Sequence, residues 1–149
     1  QFRQAGVDYV LTMETKGIPL AYATSQYLNV PFVIVRRDHR VTEGSVVSIN
    51  YVSGSSKRIQ TMSLARRSMP PNCRVLIVDD FMKAGGTIKG MMDLLEEFDA
   101  EVAGACVFME SLAAPEKLVD NVISLLRLVE VDPDRKRIKV QLGSLFETC

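Results

Sequence analysis

VLIVDDFMKAGGTIKG, residues Val75 to Gly90, packs an apolar run, two adjacent carboxylates and a glycine pair into one short stretch. The apolar run reads as a buried strand, and Ile88, Met91, Met92, Leu95 and Phe98 recur at helical spacing after the glycines. A strand, a short loop and a helix are therefore expected, with the helix running from Gly86 to about Phe98. Asp79 and Asp80 repel each other, so a neighbouring ligand or cation has to make the pairing worthwhile. The loop suggests what kind. The first amides of a helix are unpaired and lie at the positive end of its dipole. Glycines let that backbone approach an anion, and Thr87 adds a hydroxyl as ligand and N-cap. This describes a phosphate cradle. It is neither the GxxxxGK[ST] loop nor the GxGxxG fingerprint. The acid pair beside it suits the vicinal hydroxyls of a sugar phosphate, or a magnesium ion held directly or through water.

The flanking sequence supplies the sheet that such a loop needs. Val7 to Met13 reads as a buried strand, ETKGIP as a turn, Leu20 to Leu28 as a helix and Pro31 to Arg37 as a second strand. That order is a βαβ unit with parallel strands and a right-handed crossover. VVSINYV and RIQTMSL each alternate around a polar SGSSK tip, which predicts a hairpin. Ala100 to Glu110 is a further buried strand. PEKLVD suggests a short helical turn, and VISLLRLVEV and RIKVQL two last strands around DPDRK. The fold class expected is α/β: an open, mainly parallel sheet flanked by helices, with a flexible β-hairpin loop. In such sheets ligands bind beyond the carboxyl ends of the strands, where the acid pair and glycines lie.

The 149 residues suit one domain, and 47% hydrophobic residues suffice for a packed core. Eighteen basic and eighteen acidic residues cancel, so the broad positive field of a free-standing DNA-binding domain is missing. Cys73, Cys106 and Cys149 match no zinc or CxxC spacing and read as reduced thiols of a cytoplasmic protein, with Cys106 in the core. No apolar run approaches a membrane span. The one histidine, His39, lies in a charged loop, so a Ser-His-Asp or Cys-His mechanism has little support. QFRQAG reads as the end of a helix, and the chain is expected to be a fragment of a longer protein.

VLIVDDFMKAGGTI resembles the phosphoribosyl pyrophosphate (PRPP) motif of type I phosphoribosyltransferases. The resemblance implies that Asp79 and Asp80 hold the ribose hydroxyls. It implies that Lys83, Ala84, Gly85, Gly86 and Thr87 hold the 5′-phosphate. Glu14, Thr15, Lys16 and Gly17 match the family's pyrophosphate loop, which often carries a non-proline cis peptide, and Arg37 is the basic residue placed near pyrophosphate. The hairpin matches the loop that closes over bound ligand, with Tyr51, Ser55 and Lys57 on or near its tip. Ala84 departs from the threonine the enzymes usually have there, which removes a hydroxyl but keeps the amide. Over nearly the whole chain, VSINYVSGSSKRIQTMSLARR together with DDFMKAGGTIKGM is similar to the effector domains of Gram-positive purine operon repressors.

That closer resemblance implies a PRPP-sensing regulatory domain without transferase activity, spanning residues 1–149. Residue roles would then be binding roles, with none catalytic. It also implies a homodimer, DNA bound through an absent N-terminal winged helix, and PRPP lowering DNA affinity. Mg²⁺ is possible as a companion of PRPP. The alternative is a catalytic purine phosphoribosyltransferase of xanthine type. That reading needs a hood for the base, and KVQLGSLFETC offers only Phe146 as an aromatic surface. A pyrophosphokinase-like subunit is a third reading, though such chains are much longer.

Overall fold

A computed structural model describes residues 2–37, 44–53, 58–114 and 116–147. In chain order the main elements are β1 (Tyr9–Met13), α1 (Ile18–Leu28), β2 (Phe32–Val35), β3 (Val46–Val52) and β4 (Ile59–Ala65). They continue with β5 (Arg74–Met82), α2 (Gly86–Glu96), β6 (Glu101–Ser111), β7 (Val122–Asp132) and β8 (Arg137–Leu142). Six strands form one sheet in the order β2-β1-β5-β6-β7-β8. Every pairing in it is parallel except that of β7 with β8. The antiparallel β3–β4 pair stands apart as the expected hairpin.

The central strand β5 shows why its sequence is apolar throughout. Val75 and Ile77 point to one face, and Leu76 and Val78 to the other. A parallel strand covered on both faces needs apolar residues at consecutive positions. α1 covers one face through Ala21, with Val10, Leu76 and Val78 beneath it. α2 covers the other through Ile88, Met91, Leu94 and Leu95, over Leu11, Val75 and Ile77. Pro19 suits the first turn of α1, where a missing N–H costs nothing, and Asn29 ends that helix in the left-handed region at φ 55°.

The hairpin lies on the α2 side. Val47, Tyr51, Met62 and Leu64 join the same core as α2. Arg36 and Ser63 exchange backbone hydrogen bonds of 3.0 and 2.7 Å, which fasten β4 to the chain just after β2. Gly90 makes the docking possible: a Cβ there would stand 2.8 Å from the Tyr51 Cβ and 2.7 Å from the Met62 Cε.

Two local expectations are corrected. The PEKLVD turn is not helical in its described residues, 116–120, because its polar groups serve contacts with other elements. α2 ends at Glu96, two residues short of Phe98, although Phe98 stays buried in the same core. No helix of the described residues is long and apolar enough to cross a membrane.

Candidate functional site

Asp79 and Asp80 follow the continuous apolar run of β5, toward the carboxyl edge of the sheet. Strand alternation separates them: Asp79 is buried at 6% exposure, while Asp80 is partly open. The Asp80 N–H donates to Asp79 Oδ1 at 2.9 Å. Burial pushes the Asp79 carboxyl up to about 7, the Asp80 charge adds to the rise, and the Asp80 amide and Arg37 act against it.

The loop that follows has the geometry of a cradle. Gly85 is the N-cap of α2 at φ +87°, in the region that favours glycine. A Cβ there would also meet Val119 Cγ2 at 2.5 Å. Gly86 and Thr87 are the first two helical residues, so Thr87 is not the N-cap that its residue type suggests. The cap is made by backbone conformation alone, which leaves the Thr87 hydroxyl uncommitted to capping. Asp79, Met82, Lys83, Gly85, Gly86 and Thr87 line a cavity of about 60 Å³ with Phe81 and Ile88. The Ala84 carbonyl accepts the Leu118 N–H at 2.8 Å, on the side of the loop away from its amide.

The segment after β1 reaches the same edge. The Glu14–Thr15 peptide is cis. Thr15 and Lys16 are exposed, whereas Gly17 is buried. A Cβ on Gly17 would overlap Thr12 Oγ1 and stand 3.0 Å from Asp79 Oδ1, so this loop lies directly against the acid pair. Glu14 turns away from an anion-binding role. Its Oε1 accepts the Arg37 N–H at 2.8 Å, and its Oε2 lies 3.6 Å from Arg36 Nη1. Glu14 therefore holds the basic segment in place. Arg37 is exposed and its charge is felt by Asp79.

Tyr51 is not on a free tip. It is buried at 6% exposure within β3, against α2, and its hydroxyl donates to Gln60 Oε1 at 2.9 Å. Burial pushes its phenol above the ordinary value; Arg37 opposes the shift and Asp79 reinforces it. Ser55, Lys57, His39 and Cys149 lie outside the described residues. The structure thus gathers Asp79, Asp80, residues 83–87, Gly17 and Arg37 at one edge. It packs Tyr51 of the hairpin against α2.

Sequence reasoning missed one group of residues. Glu110, at the end of β6, is buried at 3% exposure and is paired with both Lys117 and Arg127. A single charged residue closing an apolar strand was the available signal.

Comparison with known proteins fits this geometry. A family profile described as "Phosphoribosyl transferase domain" matches residues 2–146. The chain is 60% identical over 145 residues to the purine biosynthesis transcriptional repressor PurR of Bacillus subtilis, covering 97% of this chain and 51% of that protein. It is 48% identical over 146 residues to the purine biosynthesis transcriptional activator PurR of Lactococcus lactis, covering 98% and 54%. The chain therefore spans about half the length of these relatives. A xanthine phosphoribosyltransferase of Exiguobacterium is 31% identical over 140 residues, covering 90% of this chain and 72% of the enzyme. The crystal structure of adenine phosphoribosyltransferase from Thermoanaerobacter pseudethanolicus superposes with a TM-score of 0.76 at 23% identity, covering 85% and 73%. At that identity the likeness concerns the fold.

Proposed function

The chain belongs to the phosphoribosyl transferase domain family, and from that premise we propose that it senses PRPP for a transcriptional regulator of purine biosynthesis genes. The carrying observation is the convergence of the acid pair, the glycine cradle and Gly17 at one sheet edge. An anion at the first amides of α2 and hydroxyls at Asp79 and Asp80 are the two halves of a ribose 5-phosphate. In this reading Lys16, Arg37 and the amides of residues 15–17 would meet a pyrophosphate extending from that sugar. The regulatory half of the reading draws on the 60% and 48% identities to transcription regulators, against 31% to the xanthine enzyme. DNA contact would belong to the part of a longer protein that this chain does not span. In the repressor mode, PRPP lowers DNA affinity because it binds the DNA-free state more tightly.

Among the described residues no group of three or more His, Cys, Asp or Glu side chains could hold a metal ion. A magnesium ion would fit as a companion of the pyrophosphate oxygens, with Asp80 as the accessible carboxylate. Magnesium is commonly bound in this way, through one or two carboxylates plus substrate phosphates.

Two measurements on the isolated domain test the reading. Calorimetry with PRPP and Mg²⁺ should show binding that weakens by about 10- to 100-fold in Asp80→Ala, the loss of a hydrogen bond of ~1.5–3 kcal/mol to a charged group. Unchanged affinity would mean the ribose site is elsewhere. Incubation with PRPP, Mg²⁺ and labelled xanthine, guanine, hypoxanthine or adenine should yield no nucleotide above background. Clear turnover would favour the xanthine-type transferase. The domain is further expected to be a homodimer, and sedimentation as a monomer at micromolar concentration would contradict that.

A further inference from the structure

Residues 117 to 119 are anchored in three successive ways. The Lys117 ammonium pairs with the buried Glu110 carboxylate, whose side chain is 4% exposed. The Leu118 N–H donates to the Ala84 carbonyl at 2.8 Å. The Val119 side chain, 7% exposed, fills the space a Cβ on Gly85 would need. A single short segment thus backs the cradle from behind, touching its backbone at two adjacent positions.

The ion pair ties that segment to the end of β6. Glu110 is itself held from the β7 side: Arg127 Nε donates at 2.7 Å and Ser124 Oγ at 2.8 Å. Arg127 also pairs with Glu147, with Nη2 and Oε2 at 3.1 Å. Burial works against the Glu110 charge, but these hydrogen bonds outweigh it and hold the carboxyl below its ordinary range. Lys117 is the one member of this network that belongs to the backing segment. Its removal leaves Glu110 with Arg127 and Ser124, so the buried carboxylate keeps partners and the fold is expected to survive. Removing Glu110 instead takes the shared carboxylate from Lys117 and Arg127 together and leaves Arg127 with Glu147 alone.

We propose that Lys117 is a positioning residue for the 5′-phosphate: through Glu110 it pins Leu118 and Val119 against Ala84 and Gly85, and so sets the shape of the cradle. This rests on the ribose-phosphate reading of the site. Anion capture by backbone amides depends on their orientation, so a loop released from its backing should bind phosphate less well. The pyrophosphate half, held by the 14–17 loop, should not notice.

The test uses two half-ligands, ribose 5-phosphate and inorganic pyrophosphate, each titrated by calorimetry with Mg²⁺. In Lys117→Met, ribose 5-phosphate affinity should fall about tenfold, less than the ~100-fold that a full ångström of misplacement can cost. Pyrophosphate affinity should change less than twofold. Lys117→Arg should restore most of the ribose 5-phosphate loss. Val119→Ala, which keeps the ion pair, should give the same selective loss at smaller size, and it serves where Lys117→Met is unstable. Equal loss of both half-ligands, or loss of neither, in both variants overturns the positioning role. Wild-type protein that binds neither half-ligand overturns the ribose-phosphate reading itself, and the proposal with it.

Discussion

Gly17→Ala should cost the domain its ligand: PRPP affinity is expected to fall by about 100-fold or more, the scale seen when site groups are misplaced by an ångström. The reason is space, since Gly17 has φ −69°, which any residue can adopt. Its Cβ would enter the volume of Thr12 Oγ1 and press on Asp79 Oδ1 at 3.0 Å. Thr12 is fully buried in β1 and has little freedom to yield. The loop or the acid pair must then move, and overpacking of this kind costs about 1–3 kcal/mol. Calorimetry and a thermal melt separate the outcomes. A folded variant with wild-type PRPP affinity would show that the 14–17 loop and the acid pair do not form one site.

The same contact shows where sequence reading stops. The cradle was legible because its parts are contiguous: strand, acid pair, glycines and helix lie within Val75 to Gly90. The parallel sheet was legible too, since strands covered on both faces, such as β5, carry unbroken apolar runs. The hairpin followed from alternation on either side of a polar tip. What could not be read is what joins segments distant in sequence. Resemblance put Gly17 in the pyrophosphate loop, but its closeness to Asp79 shows only when β1 and β5 are side by side. Tyr51 alternates in a strand, but only the docking of β3 on Gly90 of α2 shows that it is packing. Lys117 is a solvent-type residue in a loop, and its partner Glu110 becomes meaningful only when Arg127 on β7 arrives beside it. Thr87 failed as a cap for a local reason: glycine already supplied the left-handed entry to α2, and the threonine stands two residues further on, inside the first turn.

Asp79→Asn should make the free domain more stable at neutral and alkaline pH, by about 4 kcal/mol at pH 8 for a shift of this size at ~1.4 kcal/mol per pH unit. In the folded protein burial raises the Asp79 carboxyl from 3.8 to about 7, with the Asp80 charge contributing. In the unfolded chain it titrates near 3.8. Below that value both states are protonated and the residue has no effect on the pH dependence. Between about 4 and 7 the folded state holds a proton that the unfolded state has released, so wild-type stability falls as pH rises. Above 7 the carboxylate is charged in both states and the penalty is complete. Asparagine never ionises, keeps the shape, and retains an oxygen to accept the Asp80 N–H. The stability difference between variant and wild type should therefore be near zero at pH 3.5, grow through pH 7 and level off. Denaturant melts at several pH values measure it directly, and a difference independent of pH would contradict the burial of an ionisable Asp79. The gain in stability should come with a loss in function, since ribose hydroxyls donate more strongly to a carboxylate than to an amide. Those hydroxyls would also favour the ionised carboxyl, so PRPP binding near pH 7 should expel a proton from Asp79. Binding enthalpies of the wild type should then depend on the ionisation heat of the buffer, and the part of that dependence due to Asp79 should vanish in Asp79→Asn. A residue kept half-protonated by burial is poorly chosen for stability alone. It is well placed for a site that exchanges its own proton for a ligand's hydroxyl.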